Sequence, residues 1–293
     1  MVTASDHQDE ARSTRERLAA ELRRMRALSG LSGRDLAQRL GISQSKVSRI
    51  ESGATMPSLP EVTGWAAAMD ASEESARRLV ALTEAAFTEV SAWRTALRGR
   101  PHLQDQVLDR ENRTSRSQTF QPSVVPGLLQ TAEYARRVFA LFDEVPYGEA
   151  ELAAAVASRL NRQLALYQDE RRFEFVITEA ALRWRPGPAR LLRAQLDRVA
   201  SLSTLENVRI GVVPSDAEAL TYLSHGFVIA YGGVEDEAQV TVEAAHAKLS
   251  VTGPEDVALY RRRWALISRM ALFGDDARAF LAHLATTMQE EDA

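Results

Sequence analysis

Residues 32–53 place the strongest constraint on the fold, because they carry the signals for two short helices separated by one glycine. The segment reads SGRDLAQRLGISQSKVSRIESG, with Ser32 and Ser43 in positions typical of helix N-caps. Gly41 lies between them, where a residue with a positive φ angle ends a helix. Apolar residues recur at helical spacing on both sides of it, at Leu36, Ala37, Leu40, Val47 and Ile50. The segment therefore predicts a helix-turn-helix.

The second of these helices presents hydrogen-bonding and cationic side chains on its outer face. Amide, hydroxyl and cationic groups are the ones that read base edges in the major groove of duplex DNA. The predicted base-reading residues are Gln44, Ser45, Lys46, Ser48 and Arg49. The predicted phosphate contacts are Ser32, Arg34, Ser43 and Arg23. A carboxylate would be repelled by phosphate, so Glu51 is predicted to pair with an arginine of the first helix.

The charge distribution favours the same function. Residues 11–50 contain ten basic and three acidic side chains, a formal charge of +7, whereas the whole chain carries −4. The rest of the chain therefore carries −11. A basic head on an acidic body concentrates the attraction for phosphate at one end of the molecule. The alternative is that these arginines are only the solvated face of surface helices.

Composition and periodicity divide the chain into four segments. They are a disordered tail (1–14), a helix-turn-helix domain (15–82), connecting helices or a linker (83–119) and an α+β regulatory domain (120–293). In the last segment, four stretches rich in β-branched and aromatic residues predict strands at 173–179, 207–214, 225–232 and 238–244. The last two predict a hairpin. The fold class is thus mainly α, with a C-terminal domain in which helices cover a small, mostly antiparallel sheet.

An apolar stripe follows the helix-turn-helix, in a long helix predicted to begin after Ser72. Leu82, Phe87, Val90 and Trp93 occupy one face of it. This face is our candidate surface for a homodimer, which would place two recognition helices on two half-sites of DNA. Packing of the stripe inside the core of one subunit is the alternative.

The sequence contains few of the motifs that are typical of enzymes. It contains no cysteine, no phosphate-cradling glycine-rich loop and no G-x-S-x-G motif, and its five histidines are scattered. A site built from His225, His246 and Glu243 is the alternative to ordinary surface or core histidines. We therefore predict no catalytic residue, no metal and no cofactor. No stretch is long and apolar enough for a membrane span, which predicts a cytoplasmic, nucleoid-associated protein.

Several blocks of the chain resemble a known family. The head is similar to the XRE-type helix-turn-helix of phage repressors and many bacterial regulators, which implies a five-helix domain with Gln44 as the leading base reader. The body resembles the antitoxin-like domain, of unsettled activity, that follows such heads in actinomycete regulators. The matching blocks are QPSVVPGLLQTAEYAR (121–136), ITEAALRW (177–184), LRAQLDRVASLSTLENVRIGVVP (192–214) and DVALYRRRWALI (256–267). The resemblance implies a regulator of duplex DNA with a small genome-adjacent partner protein or a small-molecule effector.

Aromatic residues of the body are candidates for the effector or partner site. Trp184, Tyr222, Phe227, Tyr231 and Trp264 would line an apolar pocket or groove, or else belong to the core. An antitoxin or adaptor that mainly binds a small partner protein is the alternative to a regulator. Co-purification of the product of a small neighbouring gene would favour that alternative.

Overall fold

The computed structural model describes residues 14–92, 114–141, 148–232, 238–244 and 247–290. The chain forms two compact units. The head unit comprises residues 1–91 and 247–258, and the body unit comprises residues 92–246 and 259–293. The predicted tail up to residue 13, and residues 93–113 of the predicted linker, lie outside the described residues. Residues 247–258 belong to the head unit, although the sequence suggested that everything after residue 120 forms the body.

Helices account for most of the described residues. In chain order they are α1 Thr14–Ser29, α2 Gly33–Leu40, α3 Gln44–Glu51, α4 Leu59–Ala68, α5 Glu73–Phe87, α6 Ala132–Ala140, α7 Glu149–Arg162, α8 Glu179–Arg183, α9 Ala189–Leu202, α10 Pro254–Arg269 and α11 Gly274–Glu290. Short 3-10 turns cover Gly127–Leu129 and Gln163–Tyr167. In the part of the chain that is described, none of these helices is both long enough and apolar enough to span a bilayer.

The strands are short. In chain order they are β1 Thr88–Ala92, β2 Arg116–Gln121, β3 Arg172–Thr178, β4 Val208–Val213, β5 Phe227–Tyr231, β6 Ala238–Glu243, β7 Ala247–Val251 and β8 Leu272–Phe273. The four predicted strands correspond to β3, β4, β5 and β6. The other four were not predicted; β8 has only two residues, and β2 is unusually polar.

Helices α1 to α5 form the five-helix head that the resemblance implied. Their ends are defined by side-chain caps: Ser32 and Asp35 cap α2 reciprocally, as Ser58 and Glu61 cap α4. Gly41 ends α2 with a φ of 66°, a left-handed conformation that glycine adopts without a steric penalty. The buried core of the head contains Leu18, Leu22, Leu36, Ala37, Val47, Ile50, Val62, Trp65, Ala66, Leu79 and Ala86.

The long helix predicted after Ser72 is shorter than expected. Helix α5 ends at Phe87 and the chain continues as β1, whose neighbour is β7. The backbone N–H of Thr252, just after β7, donates to the carbonyl of Phe87 over 2.8 Å. The helix ends here because the chain is paired with a strand from far along the sequence, which helical periodicity cannot reveal.

The body unit contains a mixed sheet with strand order β6-β5-β2-β3-β4-β8. The three central strands are parallel, since β2 pairs with β3 and β3 with β4 in that sense. The other pairs are antiparallel, including the predicted hairpin of β5 and β6, in which Ile229 faces Val240. Parallel neighbours need a crossover connection. Helices α6 and α7 supply it between β2 and β3, and α8 and α9 supply it between β3 and β4.

Strand β2 corrects the predicted linker, which extended to residue 119. Ser117, Gln118, Thr119 and Phe120 are all buried in the middle of the sheet. Their side chains are mostly polar, so the segment lacks the apolar alternation of a typical strand. The strand forms because both of its edges are hydrogen-bonded, to β3 on one side and to β5 on the other.

One face of this sheet carries the main core of the body. The central strands contribute Phe173, Phe175, Ile177, Val208, Ile210 and Val212, and helix α9 contributes Leu191, Leu192, Leu196, Val199 and Leu202. Helix α9 lies between β3 and β4 in the chain. Its apolar residues belong to the same buried cluster as those of β3 and β4.

Three buried glutamines hold the irregular segment between β2 and α6. The Gln195 amide donates to the carbonyl of Leu129 over 2.8 Å and accepts from the backbone N–H of Thr131 over 2.7 Å. The Gln163 amide donates to the carbonyl of Gln130, and the Gln130 amide donates to that of Val125, each over 2.7 Å. These bonds satisfy backbone groups that would otherwise be buried without partners.

Tyr134 gives the body a measurable pH dependence. Burial raises the pKa of its phenol to about 12, whereas the unfolded chain has a phenol pKa of about 10. The neutral phenol is thus favoured by folding, and its contribution is fully present below pH 10. We expect about 2–3 kcal/mol of unfolding free energy to be lost between about pH 10 and 12. Urea unfolding of wild type and Tyr134→Phe across this range measures it.

The Tyr134→Phe variant keeps the ring and cannot ionise, so its stability should fall less steeply than that of wild type. Tyr222→Phe is the matched control, because Tyr222 is 67% exposed and its phenol meets water in both states. Parallel pH profiles for wild type and Tyr134→Phe would contradict the prediction.

Candidate nucleic-acid interface

Helix α3 is fixed to the head by its inner face. Val47 and Ile50, three residues apart, are both about 1% exposed. At the start of the helix, the Ser43 hydroxyl accepts the Lys46 N–H over 3.2 Å. The N–H of Ile42 bonds back to the carbonyl of Ala37 over 3.0 Å and closes the turn between α2 and α3. The orientation of α3 about its own axis is therefore determined by buried contacts.

The far end of α3 is tied to α1 by an ion pair. Arg26 contacts both carboxylate oxygens of Glu51, with Nε at 2.5 Å and Nη2 at 2.9 Å. The predicted pairing of Glu51 with an arginine of the first helix is confirmed. The two side chains are only 21% and 10% exposed, so leaving either one unpaired would carry a desolvation penalty.

Among the predicted phosphate contacts, Arg23 has an internal partner. Its guanidinium donates to the carbonyl of Glu51 over 2.6 Å, and this bond satisfies a group at the C-terminal end of α3. The hydroxyls of Ser32 and Ser43 serve as caps of α2 and α3. Arg34 is exposed in the first turn of α2. Whether any of these four residues contacts phosphate stays a prediction.

The predicted base readers divide into two groups. Gln44, Ser45 and Ser48 are exposed on α3, on the side opposite its buried residues. Lys46 and Arg49 are half-buried. The structure thus offers an amide and two hydroxyls to the solvent, with the longer cationic side chains folded partly against the protein.

Lys46 has a partner that the sequence analysis missed. Its Nζ lies 2.8 Å from Oε1 of Glu61, a residue in the first turn of α4. Glu61 belongs to the reciprocal cap with Ser58, and this S-x-x-E signature is visible in the sequence. The contact with Lys46 is not visible there, since it depends on how α3 and α4 pack.

The folded head is less basic than its first forty residues suggest. Residues 14–87 hold eleven basic and nine acidic side chains, a formal charge of +2. Most of the difference from +7 arises because residues 51–87 hold six acidic and two basic side chains. Two of them, Glu51 and Glu61, pair directly with Arg26 and Lys46. Hydrogen-bonding groups, more than net charge, characterise the surface of α3.

The five candidate aromatic residues of the body do not share one surface. Phe227 and Trp264 are buried, and Phe227 packs on Phe120 with ring centroids 5.7 Å apart. Tyr231 donates a hydrogen bond to Gln118 over 2.7 Å. Trp184 and Tyr222 are the exposed members. The core alternative is therefore the right one for Phe227 and Trp264.

Two open cavities of the body are formed by other residues. One of about 280 Å³ is lined by residues of α6 and α9, including Arg137 and Leu191, and one of about 420 Å³ by residues of α9 and α11. None of the five aromatic residues lines either cavity. The lining is mixed in charge, with Glu133 and Asp197 among several arginines.

Of the alternative histidine site, His225 and Glu243 lie in the part of the chain that the structure describes. His225 bonds to the Ser224 hydroxyl over 2.8 Å and to the Tyr260 phenol over 3.1 Å. Burial and then the charge of Arg263 lower the pKa of His225, which favours the neutral ring. His246 lies outside the described residues. Across the described ranges, no group of three or more His, Asp or Glu side chains is arranged to hold a metal ion.

Comparisons with known proteins match two family models to this chain. A family model described as a helix-turn-helix domain matches residues 17–79, and the model of a domain of unknown function, DUF5753, matches residues 104–283. No curated protein matches the chain.

One solved structure is titled "Structure of TrmBL2, an archaeal chromatin protein, shows a novel mode of DNA binding". It is 8% identical, with a TM-score of 0.29 and coverage of 68% of this chain, which is too weak a likeness to support an argument. This chain spans 61% of that chain's length. The two family models match without overlap and together cover most of the sequence, so the chain belongs to the DUF5753 family and carries a helix-turn-helix domain in front of that region.

Proposed function

We propose that this protein is a sequence-specific DNA-binding transcription regulator without enzymatic activity. The observation that carries the proposal is the outer face of α3, where Gln44, Ser45 and Ser48 are exposed while the opposite face is buried. These groups can bond to base edges in a major groove. The function would place the protein on chromosomal DNA in the cytoplasm.

Gln44 is the proposed leading base reader, because an amide can donate and accept together against one adenine. Its position at the first turn of α3, next to the Ser43 cap, suits the end of a recognition helix that enters the groove. Ser45, Ser48 and Arg49 are the proposed neighbours in base readout. Arg34 is the proposed phosphate contact at the start of α2.

Gln44→Ala should lose about 1–3 kcal/mol of discrimination at one base position. Arg34→Ala should weaken all sequences alike and lower the salt slope of log K by about 0.9, since one phosphate contact is lost. Fluorescence anisotropy with the labelled upstream region of the gene and with a scrambled duplex, across a salt series, measures both. Equal losses on the two duplexes for Gln44→Ala would contradict the assignment, and unselective binding by wild type would contradict the proposed function.

A homodimer is part of the proposal, because one short recognition helix makes few base contacts. Two-fold symmetry would place two heads about 34 Å apart on DNA. Of the candidate stripe, Leu82 packs against the core of its own head, which favours the intramolecular alternative for that residue. Trp93 and the side chain of Val90 lie outside the described residues.

We expect a dimeric mass in solution at micromolar concentration, and a monomeric mass in light scattering would exclude the dimer.

Control through the body by a small protein or ligand is the remaining part of the proposal. A partner protein is favoured by a row of exposed apolar side chains on α7 and the 3-10 turn after it. Leu160, Leu164 and Tyr167 are 37%, 61% and 53% exposed. Their spacing of four and three residues places them on one helical face. Neither Leu160 nor Leu164 is buried in the body unit. The same row supports the alternative function, an antitoxin or adaptor.

Leu164→Glu should abolish co-purification with a small protein encoded beside the gene, because a carboxylate in an apolar contact is costly to desolvate. DNA binding by the head should be unchanged. Leu220→Glu, at another exposed leucine of the body, is the matched control. Retention of the partner by Leu164→Glu would remove this face from consideration.

A further inference from the structure

The geometry around Lys46 points to a role for Glu61 in DNA specificity. We propose that Glu61 holds Lys46 in an internal ion pair and thereby removes it from sequence-independent phosphate contacts. The inference rests on the proposed function, which it deepens by naming a residue that does not itself face the bases.

Glu61 is held in place by its other hydrogen bonds. Its Oε2 accepts the backbone N–H of Ser58 over 2.9 Å and the Ser58 hydroxyl over 3.1 Å. Its Oε1 is left for Lys46, at 2.8 Å. These two bonds to Ser58 hold the carboxylate at the start of α4 without help from Lys46. The flexible lysine adapts to the position of the rigid partner.

The pair is shielded from water more than a typical surface pair. The side chains of Lys46 and Glu61 are 32% and 15% exposed. Burial by itself would raise the pKa of Glu61, but the hydrogen bonds from Lys46 and Ser58 outweigh it and lower the pKa, so the carboxylate is ionised at neutral pH. Moving Lys46 to a phosphate would leave this charge without its partner in a poorly solvated position.

The consequence for DNA concerns affinity for random sequence. Non-specific binding comes from cations that neutralise phosphates and release counterions, and each such contact adds about 0.9 to the salt slope. A lysine already neutralised by a carboxylate adds no such contact. The middle of α3 then presents Ser45 and Ser48 without a mobile cation between them. Specific contacts keep their strength while random binding is reduced.

The test compares full-length wild type with Glu61→Gln on a labelled scrambled duplex and on the labelled upstream region. The glutamine can still accept from the N–H of Ser58, so the cap of α4 is retained. Freed from its partner, Lys46 should steepen the salt slope by about 0.9 and tighten binding to the scrambled duplex about fivefold near 0.15 M salt. The ratio of specific to random affinity should fall.

Two further variants separate this effect from simpler ones. Glu73→Gln removes the same charge from an exposed pair of the head, with Arg77 at 3.8 Å, and should leave the slope unchanged. The double variant Glu61→Gln/Lys46→Gln should return the slope to that of wild type, which a loss of folding would not do.

The outcomes distinguish the two proposals. In one outcome, wild type selects the upstream region, and Glu61→Gln has the same salt slope and the same affinity for the scrambled duplex as wild type. That result overturns the role of Glu61 and leaves the proposed function standing. A gain that persists in the double variant also overturns the role of Glu61, because Lys46 would then not be its source. A wild type without selective, salt-dependent binding overturns both the role of Glu61 and the regulator itself.

Discussion

The bidentate contact between Arg26 and Glu51 is the interaction on which the head depends. It joins the last residue of α3 to the last turn of α1, while Val47 and Ile50 bury the same side of α3 in the core. Both charged side chains are largely removed from water, so the pair cannot open without leaving a poorly solvated charge. A helix of eight residues has little stability of its own. The exposure of Gln44, Ser45 and Ser48 is therefore a result of what the other side of the helix contacts.

Acidic side chains also neutralise basic ones elsewhere in the head. Glu51 of α3 and Glu61 of α4 form ion pairs with Arg26 and Lys46, which belong to the basic segment 11–50. Residues 14–87 have a formal charge of only +2. Long-range attraction to DNA is weaker under this arrangement than the isolated segment would suggest. Under the proposed function, recognition would depend more on directional hydrogen bonds, which distinguish bases, than on charge, which does not.

The body uses buried polar groups where the head uses ion pairs. Gln130, Gln163 and Gln195 complete the backbone hydrogen bonds of a segment that is neither helix nor strand. Strand β2 is central although three of its buried residues are polar, since both of its edges are paired. Sequence periodicity detected β3 to β6 because their burial alternates or is continuous. It missed β2, whose side chains carry no such pattern and whose parallel partner β3 is more than fifty residues away.

By itself, the sequence determined the local features of this protein: the caps at Ser32 and Ser43, the turn at Gly41, the apolar faces of α2 and α3, and the polar face between Gln44 and Ser48. Each depends on interactions within a few residues, which a linear pattern records. Only the tertiary structure decided which carboxylate meets Lys46, where α5 ends, which strands are parallel and which aromatic residues of the body are buried. Those outcomes depend on packing between segments distant in the chain, and the free energy of that packing is not encoded in any single window of sequence.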